Sequence, residues 1–237
     1  MGGGGDHGVV LVGMSVREVD ARDRLLALAA EHDATVAFLQ LGDPSLSREL
    51  TRLADAGVSR VTLVGVSLGT LAPAASWLRR IAAHWWRERP GRRPDVRVAV
   101  TLLRTDDQLP ALVRLAKTVD GSEPGLTSDA WERVPPHRDQ VLVCRGPRCT
   151  ALGSDASAEA LVLALMSHGL GDDDVLVTHT QCQFPCNQAP VLSVQPDDIW
   201  YGAVGPEVAR TIVAEHLVER RPVETHRLPR SRRPLDG

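Results

Sequence analysis

The sequence is nearly devoid of lysine: Lys117 stands alone among 27 lysine and arginine residues. The arginines do not make the chain basic, because 30 carboxylates outnumber them and the formal net charge is −3. Without a global positive field, nothing points to nucleic acid as a partner. Long apolar runs are missing too, and none approaches the ~20 residues needed to cross a bilayer. The amino terminus, Met1 to His7, is glycine-rich and lacks the basic start and apolar core of a secretory signal. These absences lead to the expectation of a cytoplasmic chain with no membrane partner. The hydrophobic share of 43% and charged share of 24% are ordinary for a globular protein. At 237 residues there is room for one large domain or two smaller ones.

Cysteine is equally scarce, but what there is lies close together: Cys144, Cys149, Cys182 and Cys186. Each pair follows a strand-like run, Gln140–Val143 before the first and Val175–Thr180 before the second. Two such strands can carry their loops to one end of a sheet and bring four thiolates together, which makes a soft-metal or iron–sulfur site. In the cytosol thiols stay reduced, and grouped cysteines bind metal more often than they form disulfides.

The first half alternates strand and helix. Val9–Val12, Thr35–Leu39, Arg60–Val64 and Val96–Thr101 read as strands. Asp20–Glu31 reads as a helix with Leu25, Leu26, Ala29 and Ala30 on one face. A second helix opens at Asp43-Pro44 as cap and first-turn proline and closes at Gly57. Leu71–Arg89 and Asp106–Thr118 complete the set. Regular βα alternation with continuous apolar strands argues a parallel sheet covered on both faces. Val119 to His137 is rich in proline and glycine and breaks the pattern. The second half restarts with Gln140–Val143, a helix over Ser157–His168, strands at Val175–Thr180, Val191–Val194 and Ile199–Tyr201, and a helix from Pro206 to Val218. The expected organisation is an α/β domain over 8–119, a linker over 120–138, a second α/β domain over 139–228, and a frayed tail over 229–237.

Zinc competes with iron–sulfur for the four cysteines. Structural zinc usually sits in small loop-rich modules where it replaces a hydrophobic core. Here each pair adjoins a core-quality strand, which favours iron–sulfur. A Rieske centre needs two histidine ligands; His179 lies near Cys182, but the Cys-x-His pairings are absent. Val141–Cys149 (VLVCRGPRC), Val177–Cys186 (VTHTQCQFPC), Ala189–Pro196 (APVLSVQP) and Trp200-Tyr201 together resemble the thioredoxin-like 2Fe-2S ferredoxins. The resemblance covers about Asp139 to Leu228. It implies a thioredoxin-like α/β fold, a 2Fe-2S cluster on Cys144, Cys149, Cys182 and Cys186, and one-electron transfer with a redox partner protein. All-cysteine centres of the plant type lie at about −400 mV. Gln183-Phe184-Pro185 departs from the family, which commonly has a small residue or glycine between the last two ligands. Arg145 and Arg148 flank the first ligands and read either as docking residues or as solvated loop arginines.

In the first half, Gly65–Gly69 (GVSLG) fits a nucleophile elbow with Ser67 as nucleophile. The triad then needs a later histidine, and before the boundary there is only His84, inside a helix. Val36–Leu46 (VAFLQLGDPSL) and Leu53–Val64 (LADAGVSRVTLV) resemble the sirohydrochlorin cobalt- and ferrochelatases over about Val9 to Thr118. That resemblance implies a tetrapyrrole cleft at the carboxyl end of the sheet, with one histidine after the first strand and another after the third. Met14 stands at the first position, and Leu68–Pro73 (LGTLAP) has no histidine. Neither Met14 nor Thr70 can act as a base near neutral pH. His7, in the glycine-rich arm, and His84 are expected at the surface.

The reading is therefore of an electron carrier with a chelatase-like, non-catalytic first domain. That domain would serve a partner or a tetrapyrrole ligand in corrinoid (cobalamin) or sirohaem metabolism. The rival is an active sirohydrochlorin cobalto/ferrochelatase with a regulatory cluster and ligands relocated to His7 or His84. Both families tend to pair, so a homodimer is expected. Trp77, Ile81 and Trp85 share a helical face and read as core or as an interface.

Overall fold

Val- and Leu-rich runs build the first sheet. β1 (His7–Gly13), β2 (Ala34–Phe38), β3 (Arg60–Val66) and β4 (Asp95–Val98) are parallel and lie in the order β2-β1-β3-β4. The computed structural model describes residues 7–69, 75–123 and 133–230. The chain divides into two compact units, Met1–Glu132 and Arg133–Gly237.

Both faces of the first sheet are covered, as buried parallel strands require. On one face α1 (Val16–Asp20), α2 (Arg22–Glu31) and α5 (Leu109–Arg114) enclose Leu11, Phe38 and Val64. On the other, α3 (Leu46–Asp55) and α4 (Ala75–Glu88) enclose Val10, Val12 and Leu63. Several sequence expectations need correction. The helix expected over Asp20–Glu31 is α2, beginning at Arg22, and a separate short helix, α1, precedes it because Ser15 and Glu18 form a capping box. In α2 the buried stripe is Leu25, Leu28 and Ala29, while Leu26 and Ala30 face solvent. The cap of α3 is Ser45, whose hydroxyl accepts from Arg48 N–H, whereas Asp43 pairs with the Arg48 side chain. The helix expected over Asp106–Thr118 ends at Arg114. Lys117–Thr118 instead forms β5, antiparallel to β4, with its carbonyls held by Arg79. Part of the helix expected from Leu71 lies outside the described residues.

The second unit has a mixed sheet in the order β7-β6-β8-β9. β6 (Asp139–Cys144) and β7 (Val175–Thr180) are parallel, joined by a crossover through α6 (Pro147–Ala151) and α7 (Ser154–Ser167). β8 (Leu192–Gln195) and β9 (Ile199–Tyr201) add antiparallel strands. Val141, Val143, Val194 and Tyr201 face a core completed by Leu161, Leu165, Ile212 and Leu217. The closing helix is α-helical over α8 (Pro206–Thr211) and becomes π-helical over Ile212–Val218. After it, the chain returns to the sheet: Leu228 N–H donates to Trp200 O at 2.7 Å, and Arg227 bridges to Tyr201. Tail residues 231–237 lie outside the described set. Both units are thus α/β, the first built on a parallel sheet. Among the described residues no helix is long and apolar enough to cross a membrane.

Candidate metal centre

Parallel pairing of β6 with β7 is what gathers the cysteines. Cys144 is the last residue of β6 and stands in register with Thr180, the last of β7. Both strands therefore release their loops at the same edge of the sheet. Gly146-Pro147 then starts α6, with proline in its first turn, and α6 returns Cys149 to the sheet. After β7 the chain carries Cys182 and reaches Cys186 at the start of a 3-10 turn, Cys186–Gln188.

The two loops touch. A Cβ on Gly146 would come within 2.8 Å of both Cα and Cβ of Cys182, so only glycine allows this approach. Gln183 fastens the second loop to the sheet. Its side-chain amide donates to Leu142 O at 3.0 Å and to Thr180 Oγ1 at 2.8 Å, and its Oε1 accepts from Ser193 Oγ at 3.1 Å. Its backbone N–H then points at Cys144 Sγ, 3.5 Å away.

All four thiols are free of disulfides. Cys182 Sγ and Cys186 Sγ are 3.3 Å apart, and Cys144 lies within interaction range of Cys149 and of Cys182. No set of three or more His, Cys, Asp or Glu side chains among the described residues is already closed around a single ion. Burial is uneven: Cys144 and Cys149 are 1% and 3% exposed, while Cys182 and Cys186 reach the surface. Burial pushes the Cys149 thiol up to about 11, against a hydrogen bond from Val191 N–H. Cys182 is held below the usual thiol range by a hydrogen bond from Phe184 N–H, then by its bond with Cys186. The same bond raises Cys186.

Two buried donors beside the thiols lack acceptors: Arg145 Nε and Trp200 Nε1. Trp200 packs against the small cluster that Cys144, Cys149 and Val191 form. Sulfur-rich groups bring acceptors for such donors, and four soft ligands suit iron–sulfur or another thiophilic metal. His179 is not part of the group. It pairs with Val143 on the helix-covered face of the sheet, opposite Cys144, and lines a hollow with Val162, Leu165 and Met166. Phe184 has φ +55, left-handed backbone that a glycine adopts without strain. Asp174 closes its own turn by accepting from Gly171 N–H.

The first unit offers less chemistry. Its topological switch point lies between β1 and β3, where such folds bind ligands beyond the strands' carboxyl ends. Met14 there is fully buried, and a Cβ on Gly65 would meet its sulfur at 2.8 Å. Glu18 stitches the crevice shut: Ser15 N–H and Oγ–H donate to it, and Leu68 N–H donates from across the gap, each at 2.7 Å. Ser67 is 2% exposed and its hydroxyl donates to Gly69 O, so it is no free nucleophile. His7 is not in a free arm: it opens β1, at the end of the sheet away from this crevice, and bonds Thr62 Oγ1 at 2.9 Å. His84 is exposed on α4. Of the tryptophans on that helix, Trp85 is buried and donates to Thr51, Trp86 donates to Pro94 O, and Trp77 is exposed under Arg80.

No family model matches the chain. A putative 2Fe-2S ferredoxin of Priestia megaterium is 34% identical over 80 residues, 34% of this chain and 61% of that protein. A 2Fe-2S ferredoxin of Clostridium pasteurianum is 32% identical over 88 residues, 34% of this chain and 85% of that protein. Among solved structures, the thioredoxin-like [2Fe-2S] ferredoxin of Aquifex aeolicus shares 30% identity, with 39% of this chain and 97% of that chain covered and a TM-score of 0.37. SirB from Bacillus subtilis with Fe3+ shares 16% over 76% of this chain and 67% of that one, at a TM-score of 0.36. Structural likeness of that extent decides nothing further. The chain spans about three fifths of the Priestia relative and most of the clostridial one, in each case with only about a third of its own length. By the second of these relationships it belongs to the 2Fe-2S ferredoxins. All four cysteines lie in the second unit.

Proposed function

We propose that the protein is a one-electron carrier whose second unit holds a 2Fe-2S cluster on Cys144, Cys149, Cys182 and Cys186. The observation that carries the reading is the convergence of four disulfide-free thiols where two parallel strands end. When bound, such a group supplies reversible one-electron chemistry at low potential. The protein's own groups do the rest. Gln183 holds the second loop in place, the N–H groups of Gln183, Phe184 and Val191 donate to thiol sulfurs, and Cys144 and Cys149 stay away from water. The test is anaerobic purification. A brown protein with about two irons and two sulfides per chain, giving an EPR signal after dithionite reduction, is expected. Cys182→Ser should bleach it. A colourless, zinc-loaded native protein would end the reading.

The first unit is assigned a binding role without metal insertion, serving a partner or a tetrapyrrole in corrinoid or sirohaem metabolism. Support for the lack of metal insertion comes from Met14 in the core, from the crevice closed by Glu18, and from His7 at the far end of the sheet. Insertion of Co²⁺ into sirohydrochlorin should not exceed the uncatalysed control; a rate above it would restore the chelatase alternative. Cytoplasmic location and a homodimer complete the proposal, the latter to be read by light scattering.

A further inference from the structure

Electrons leave a buried centre where it comes nearest the surface, and uneven burial of the thiols identifies that place. Cys144 and Cys149 are sealed in, so the exposed edge is the one formed by Cys182 and Cys186. The chain around this edge is one-sided in charge. Residues 144–153 and 180–190 contain two arginines and no carboxylate, in a protein whose formal charge is −3. Arg148 is exposed and immediately precedes Cys149 in α6. Arg145 is half-buried beside Cys144. Phe184, 69% exposed, lies between the two outer cysteines in sequence, and Pro147 and Leu152 are exposed at the two ends of α6. An exposed aromatic with arginine beside it is the composition of an interface centre rather than of a plain surface.

We infer that the Cys182–Cys186 edge is the docking surface for an acidic protein electron acceptor, with Arg148 steering it and Phe184 anchoring it. The inference rests on the electron-carrier reading above. In the transfer itself one electron leaves the reduced protein and one acceptor is reduced by one electron; no proton or group moves. Attraction between the arginine rim and the acceptor's carboxylates speeds encounter and is screened by salt. The contact places the acceptor over the thinnest cover of the site.

The test uses full-length protein whose 2Fe-2S spectrum has first been recorded. It is reduced with dithionite and mixed in a stopped-flow with cytochrome b5, an acidic acceptor, or cytochrome c, a basic one. Arg148→Glu should slow transfer to cytochrome b5 at least about threefold at low salt and speed transfer to cytochrome c, with both effects fading as ionic strength rises. Phe184→Ala should slow cytochrome b5 at every salt concentration. Arg210→Glu, on α8 against the other face of the sheet, should change neither rate. Should Arg148→Glu keep its spectrum yet move both acceptors alike or leave both unchanged, the docking surface is wrong while the carrier reading stands. If Arg148→Glu fails to fold, Arg148→Gln serves, with the same signs and smaller changes. A wild-type protein without the spectrum removes both readings together.

Discussion

Single atoms decide the geometry of the cysteine group. Gly146 is the plainest case, since the first carbon of any side chain there would run into the backbone and Cβ of Cys182. Gly146→Ala should therefore push the two loops apart. Crowding of this kind costs about 1–3 kcal/mol. The expected outcome is loss of most bound iron with far-UV circular dichroism unchanged, read by iron analysis beside the spectrum. A variant that keeps its iron would show that the loops need not touch. Gln183 works in the opposite sense, drawing the second loop onto the sheet with both amide donors and the side-chain oxygen engaged. The cysteine spacing was legible in the sequence because ligands must recur after strands. Gly146 and Gln183 were not, because their roles depend on a contact between segments about forty positions apart. Phe184 announced itself as a departure, and its positive φ gives the physical reason a smaller residue suits the position.

At the level of elements, the closing helix carries the other buried network of the second unit. Val223 N–H donates to Tyr201 Oη at 3.1 Å, Tyr201 pairs with His216 Nδ1 at 2.9 Å, and His216 Nε2 pairs with Asp197 at 2.9 Å. Arg220 extends it to the buried Asp139, which it meets at 2.8 Å and 2.9 Å. Tyr201→Phe leaves His216 Nδ1 and Val223 N–H without a partner and should cost about 1–3 kcal/mol in urea unfolding. Burial, ahead of the Glu224 charge, raises the Tyr201 phenol above its ordinary value of 10.0. The folded chain then keeps a proton that the unfolded chain releases. That stability is fully present below pH 10 and is lost as pH climbs through the raised value. The gap between wild type and Tyr201→Phe should thus narrow in melts run from pH 9 to 11; a constant gap would contradict it. Strands rich in Val and Leu were readable from sequence, whereas β5 was not, being two residues long and continuous with a helical pattern. The π-helical stretch was equally hidden, since Ile212, Val213 and Leu217 bury in either kind of helix. α6 was missed because Gly146-Pro147 reads as a turn until its proline is seen in a first helical turn.

For the whole molecule, the consequence is a division of labour between two units that each own a core. A chain comprising residues 133–237 should bind as much iron as the full protein, and one comprising residues 1–132 should bind none while giving a cooperative melt. Iron on the first fragment would refute this division. The missing histidines of the first unit were legible at once. What the sequence could not say is that Met14 and Glu18 fill and fasten the crevice that those histidines would otherwise line.

The parallel pairing of β6 with β7 has a kinetic side as well. Neither loop alone presents four sulfurs, and the loops meet only after the crossover through α7 has docked in register. Contacts so distant along a chain form late and slowly in folding. Iron uptake by refolding protein should consequently lag behind helix formation, so that the appearance of colour marks the moment at which the crossover closes.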